Sequence, residues 1–291
     1  MRPARIGPGP PVILCADDYA ISEGVSAGIE ELVAAGRLSA TSCMVTFPEW
    51  PSLARRLGRL RDRIAIGLHV NLTVGAPLGP TPKLAPGGTF PKIGDVIRAA
   101  ALRAVDANEV EAEVGRQLEA FTQHAGFAPD FLDGHQHVHA PSIVRAGVLA
   151  ALGTFARGRT MLVRDPSDSF TRIVRRRLFM RKAIGISVLA FGFARAVRAG
   201  GFALNNGFSG FSKFDPSSPY GRELEAAFTA CGPRHLTMCH PGHADAVLAT
   251  RDGVTARREQ EFAALMAAEG LAGRLWHPDR RSPNIWDAAD V

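Results

Sequence analysis

Cysteine is scarce, and the four present (Cys15, Cys43, Cys231 and Cys239) sit in apolar, strand-like runs without forming a Cys-x-x-Cys pair. A disulfide-built miniprotein is excluded, and small buried thiols in a reducing compartment are expected. No apolar run approaches the ~18 residues that would suggest a membrane span. The longest candidate, residues 183–194, covers only about a dozen. The opening MRPARIGPGPP is basic but has no apolar stretch behind it, so no cleaved signal peptide is expected. A cytoplasmic protein follows, with peripheral contact at the inner membrane face as an extension. Catalytic signatures are missing too: no Gly-x-Ser-x-Gly elbow, Walker loop, Gly-x-Gly-x-x-Gly fingerprint or His-Glu-x-x-His helix occurs. No serine or cysteine nucleophile stands out.

What is present is globular material. Of 291 residues, 46% are hydrophobic and 21% charged, with 34 Lys and Arg against 28 Asp and Glu for a net charge of +6. That composition supplies a sizeable core and excludes intrinsic disorder. The positive charge is concentrated. Arg172, Arg175, Arg176, Arg177, Arg181 and Lys182 fall within eleven residues, ahead of Ile184, Ile186, Val188, Leu189, Phe191 and Phe193 and then Arg195 and Arg198. Such a segment is either a solvated helix face leading into a buried stretch or a basic-apolar surface that rests on an anionic membrane. No nucleic-acid motif accompanies it, so nucleic acid is not an expected partner.

Short apolar runs alternate with amphipathic helices. Residues 12–16 read as a buried strand ending in Asp17-Asp18. Ser22 caps a helix with Val25, Ile29, Leu32 and Val33 inward, and Gly36 closes it. Further strands are expected over 41–47, 64–72, 131–133, 161–163 and 235–239. Helices are expected with Val110, Val114, Leu118 and Phe121 on one side, and from Pro141 onward with Ile143, Val144, Val148 and Leu152 inward. Residues 73–93 are a Gly/Pro-rich loop. The β-then-α order predicts an α/β fold with a parallel sheet.

Several strand ends share one chemical vocabulary: Asp17-Asp18, His69-x-Asn71, Asp133-Gly-His135-Gln-His137-Val-His139, and His240-Pro241. Functional side chains of α/β barrels gather at strand carboxyl ends, which suggests a barrel with one composite site; an open doubly wound sheet would place ligands similarly. Adjacent buried carboxylates such as Asp17 and Asp18 are costly unless a cation neutralises them or one takes a proton. If residues 133–139 were a strand, their two-residue spacing would put Asp133 and the three histidines on one face, able to converge on an ion. His69 gains a ligand reading from this company, and His240, at a sharp Pro-Gly turn, is placed as a general acid or oxyanion stabiliser. A carboxylate/histidine site without a covalent nucleophile points to hydrolysis by metal-activated water.

The run Val-Ile-Leu-Cys-Ala-Asp17-Asp18, then Gly67-Leu68-His69-Val-Asn71-Leu72-Thr73, Leu132-Asp133-Gly-His135-Gln-His137-Val-His139 and Met238-Cys239-His240-Pro241-Gly242, resembles the YdjC-like carbohydrate deacetylase family over about residues 11–270. The resemblance implies a distorted (β/α) TIM-like barrel, a single domain over 1–291 with 172–198 as an insertion. It also implies metal-dependent removal of an N-acetyl group from an amino sugar, whether oligosaccharide or glycolipid. By position, Asp18, His69 and His135 fall on the family's metal ligands, Asp17 on its general base and His240 on the histidine that assists the leaving amine or oxyanion. The implied cofactor is one divalent ion, Mg2+ by resemblance, with Zn2+ equally suited to two histidines and a carboxylate. His137 and His139 would shape the cleft or orient ligands. Tyr19-Ala20 replaces the family's usual Phe-Gly, and Gln136 stands where a further histidine is common. The alternatives are a metal-dependent phosphoesterase and a non-catalytic glycan or membrane-surface binding module. Expected partners are the N-acetylated sugar, an anionic membrane through 172–198, and a second copy in a homo-oligomer.

Overall fold

The computed structural model describes residues 2–157, 159–282, 285 and 286. Seven strands, β1 (Val12–Tyr19), β2 (Ala40–Cys43), β3 (Ala65–Val70), β4 (Phe131–Gly134), β5 (Leu162–Val163), β6 (Phe208–Ser209) and β7 (His235–Cys239), form one sheet in the order β5-β4-β3-β2-β1-β7-β6, every pair parallel. Between β1 and β3 lie helices α1 (Glu23–Ala34) and α2 (Trp50–Ala54), and between β3 and β5 lie α3 (Ile93–Ala101), α4 (Ala107–Ala125) and α5 (Ser142–Phe155). Helices α6 (Phe170–Arg176), α7 (Met180–Leu189) and α8 (Phe193–Ala199) fill the β5–β6 connection, α9 (Tyr220–Ala227) precedes β7, and α10 (Ala246–Arg251) and α11 (Ala256–Ala267) follow it.

The two edges of the sheet nearly meet. Ala203 exchanges backbone hydrogen bonds of 2.9 Å with Met161 and Val163 beside β5, and five residues later the same segment becomes β6, paired with β7. The sheet is therefore curled into an incompletely closed barrel, in line with the distorted barrel that the resemblance implies and not the open doubly wound sheet that the strand order alone would also allow. Every strand residue is buried, which is why the strands read as continuous apolar runs rather than alternating ones. Ser22 caps α1, its Oγ accepting from the Val25 amide, and Val25, Ile29, Leu32 and Val33 are buried as the spacing predicts. The strand expected over 41–47 stops at Cys43, and β6, only two residues long, has no sequence pattern of its own. The curl brings the carboxyl ends of β1, β3, β4 and β5 around one point.

Candidate metal and catalytic site

Adjacent residues of a regular strand point to opposite faces, so Asp17 and Asp18 share a pocket only if the backbone departs from regularity. It does. Asp18 has φ of 72° and Ala20 of 70°, and the β1–β2 register shifts between Ala16 and Tyr19. This bulge at the end of β1 turns both carboxylates inward, where they are 2% and 1% exposed.

The second contribution comes from β3 and β4, whose register places His69 opposite Asp133. The His69 Nδ1 lies 2.5 Å from Asp133 Oδ1 and 3.0 Å from Ser42 Oγ. A carboxylate there holds the proton on Nδ1 and aims Nε2 into the pocket. His69 Nε2 is 3.2 Å from Asp18 Oδ1, and His135 Nδ1 is 2.8 Å from the same oxygen. One donor atom each from Asp18, His69 and His135 fall within 4.8 Å of one another, all three residues being buried. The three expected ligands are thus brought together, and their separation suits a single small ion.

Charge supports the same fit. Three buried carboxylates, Asp17, Asp18 and Asp133, face two buried guanidiniums, Arg164 and Arg258. Burial alone would disfavour a charged His69, yet Asp133, Asp18 and Asp17 raise its pKa to about 10. A pocket that holds a proton so firmly favours positive charge at Nε2, and a divalent cation satisfies that preference. For Asp18, burial is likewise outweighed, here by His135 and Arg258, which keep the carboxyl well below its usual range.

Asp17 is set apart from the triad by Arg164. The guanidinium grips it with both arms, Nη1 to Oδ1 at 2.7 Å and Nη2 to Oδ2 at 2.9 Å, and reaches Asp133 Oδ2 at 2.9 Å. Burial pushes the Asp17 carboxyl up, but Arg164 and then His69 overcome it and hold it ionised. A second cluster of donor atoms, from Cys15, Asp17 and Asp133, is already bridged by this guanidinium. On the far side, His240 Nε2 is 4.0 Å from Asp17 Oδ2. Burial depresses its pKa to about 4, so the imidazole is neutral near pH 7.

The histidine run departs from the strand reading. β4 ends at Gly134, residues His135–His137 form a 3-10 turn, and Gln136 and His137 take φ of 54° and 59°. Only Asp133 and His135 therefore reach the triad. His137 lines the cleft and packs edge-on against Phe208 and Phe211, while His139 Nε2 bonds the Arg164 carbonyl at 2.8 Å. The cleft over the site has a volume of about 430 Å³, with Asp17, Asp18, His135, Arg164 and His240 on its polar side and Ile93, Ile97, Ile186 and Phe214 on its apolar side.

Three participants were not singled out from the sequence. Arg164 follows β5 by one residue and obeys the strand-end rule that flagged the others, so its position was a usable signal. Arg258 lies on α11, donating to Asp18 Oδ2 and Asp252 Oδ2 at 2.6 Å each. Glu261 accepts the His240 backbone N–H at 2.6 Å, and burial raises its pKa to about 7. Nothing local distinguishes either from a solvated helix residue.

The loop carrying His240 is seated by backbone-to-backbone contact. A Cβ on Gly242 would stand 2.7 Å from Val25 Cα, and one on Gly28 would stand 2.8 Å from Gly242 Cα. The His243 amide also bonds the Gly24 carbonyl at 3.1 Å. Gly242→Ala is expected to cost about 1–3 kcal/mol through overpacking. It should also reduce turnover by displacing His240; thermal melting and steady-state rates check the two effects, and a variant equal to wild type in both would refute this account of the loop.

A family model described as YdjC-like protein matches residues 11–271. A chitooligosaccharide deacetylase of Proteus mirabilis is 32% identical over 128 residues, 44% of this chain and 49% of that protein. A carbohydrate deacetylase of Geobacillus stearothermophilus is 34% identical over 128 residues, with the same coverage of 44% and 49%. The chain thus spans about half the length of these two relatives. A chitooligosaccharide deacetylase of Klebsiella pneumoniae is 26% identical over 238 residues, 81% of this chain and 83% of that one. Among solved structures, an Enterococcus faecalis V583 protein provisionally named for cellobiose-phosphate cleavage superposes with a TM-score of 0.63 at 19% identity, covering 89% of this chain and 91% of its own. That likeness speaks for the fold.

Proposed function

The chain belongs to the YdjC-like protein family, and from that premise we propose that it is a metal-dependent carbohydrate deacetylase, removing the N-acetyl group of an amino sugar. The observation that carries this reading is the convergence of Asp18, His69 and His135 on one point beside an ionised Asp17, at the floor of a cleft large enough for a small ligand. Asp18, His69 and His135 would hold the ion. Two imidazoles and one carboxylate suit zinc and its first-row neighbours better than magnesium, which prefers oxygen donors. When bound, a divalent ion supplies Lewis acidity, acidifying water and polarising a carbonyl oxygen.

The protein's own groups complete the hydrolysis. Asp17, kept ionised and fixed in direction by Arg164, takes a proton from water as the new C–O bond forms at the acetyl carbon. That proton must reach the amine nitrogen as the C–N bond breaks. His240 starts neutral, so it does not bring a proton of its own; 4.0 Å from Asp17, it helps protonate the amine by passing on, through one water between them, what Asp17 has taken. The second proton of the water leaves with the nitrogen, so the products are the protonated amine and acetate. The reacting unit is one domain, and residues 172–198, which lie between β5 and β6, are read as an insertion into it.

The phosphoesterase alternative is disfavoured by the second donor cluster. Two-metal phosphoryl transfer needs ions about 3.5–4 Å apart. The position beside the triad is taken by the Arg164 guanidinium, which leaves room for one ion. The test is acetate release from a panel of N-acetylated mono- and oligosaccharides and glycolipids, by protein loaded with a divalent metal and by protein stripped with a chelator. Release should stop on stripping and return with zinc or another divalent ion. Silence across the panel with metal shown to be bound would overturn the reading.

A further inference from the structure

The segment between β5 and β6 carries a surface that neither the barrel nor the cleft explains. Helix α7 is apolar on two sides. Ala183 is buried, Ala190 at its end is buried, and Ile186 lines the cleft; yet Met180, Ile184 and Val188 are exposed, followed by Phe191 in the turn to α8. At 3.6 residues per turn these three exposed positions share one stripe, with Arg181 at its border. Val188 is 69% and Phe191 86% exposed, and Phe170 on α6 is 68% exposed. A helix hydrophobic all round normally lies in a core or in lipid, and clustered exposed apolar side chains mark an interaction site.

Charge identifies the occupant. From 169 to 214 the chain holds nine Lys and Arg and no Asp or Glu. Arg175, Arg177, Arg181, Arg195 and Arg198 engage in no ion pair among the described residues, whereas Arg172 and Arg176 are tied to Asp168. A second copy docked face to face would oppose one set of unpaired arginines to another. An anionic bilayer matches both features, accepting the stripe among its headgroups and the arginines at its phosphates. No described helix is long and apolar enough to cross a membrane, so the contact is peripheral. We propose that α6 to α8 form a docking surface for an anionic membrane, with α7 shared between that surface and the wall of the cleft.

The proposal concerns binding and stands whether or not the deacetylase reading does. The full chain is sedimented with phosphatidylglycerol/phosphatidylcholine vesicles and with phosphatidylcholine alone, at low and high salt. Binding is expected to the anionic vesicles only, and to weaken with salt. Val188→Asp/Phe191→Asp should reduce it at least tenfold by removing the apolar anchor, and Arg177→Glu/Arg181→Glu should reduce it by roughly fivefold or more for each charge. All four side chains are exposed, so unchanged melting curves are expected and confirm folding. Failure to bind anionic vesicles at low salt overturns the proposal. So does binding indifferent to both double variants, or a self-associated form, seen by analytical ultracentrifugation, that Val188→Asp/Phe191→Asp dissociates.

Discussion

Asp17→Asn should lower kcat for acetate release by about 10²–10⁴ while leaving the bound divalent ion in place. The range is that of a positioned general base. The separation of the two effects follows from geometry: the Asp17 carboxylate is spent on Arg164, while the proposed ligand atoms come from Asp18, His69 and His135. An amide in place of the carboxylate cannot take up a proton near neutral pH. It also sets an NH2 group against the Arg164 guanidinium, so a loss of about 1–3 kcal/mol in stability accompanies the loss of rate. His135→Ala is the contrasting variant, losing ion and turnover together. Metal content by elemental analysis, measured beside kcat, separates the two. Full activity in Asp17→Asn would remove Asp17 from the role of base, and loss of metal from it would show that the ion sits closer to Asp17 than the triad places it.

How much of this was legible beforehand depends on how local each cause is. Asp18, His69 and His135 stand at or just after the ends of strands whose apolar runs are continuous, so a rule about strand ends reaches them. The bulge that lets Asp17 and Asp18 face the same way is a backbone event at Asp18 and Ala20; aspartate tolerates positive φ but alanine does not favour it, and the packed barrel enforces it. The histidine run misleads for the same reason. A period of two implies a strand, but Gln136 and His137 adopt left-handed angles and the chain turns after Gly134. β6 is two residues that become a strand only because β7 is beside them. Arg258 is the extreme case. An arginine on an amphipathic helix reads as a surface residue, yet it is 1% exposed and meets Asp18 across 240 positions of sequence.

Arg164→Met is expected to be the most destabilising of the single changes, by about 3–5 kcal/mol, because it strips the cation from buried carboxylates rather than removing a pair. Against a typical total of about 5–15 kcal/mol, that is a large share, and it corresponds to a fall in Tm on the order of 5–10 °C. The pH dependence has a definite sign. Arg164 depresses the native pKa of Asp17, so its contribution is present above the ordinary carboxylate range and is lost as pH falls through the native value. In Arg164→Met the Asp17 carboxyl is buried without its partner and protonates at higher pH. The stability gap to wild type is therefore widest near neutrality and narrows on acidification, while the acid limb of the rate profile moves to higher pH. Asp17→Asn combined with Arg164→Met decides between a charge effect and a packing effect. If the cost is an unpaired charge, the double variant recovers part of the stability lost by Arg164→Met and none of the activity. If the two losses simply add, Arg164 holds the barrel by its bulk, and the orientation of Asp17 must come from elsewhere.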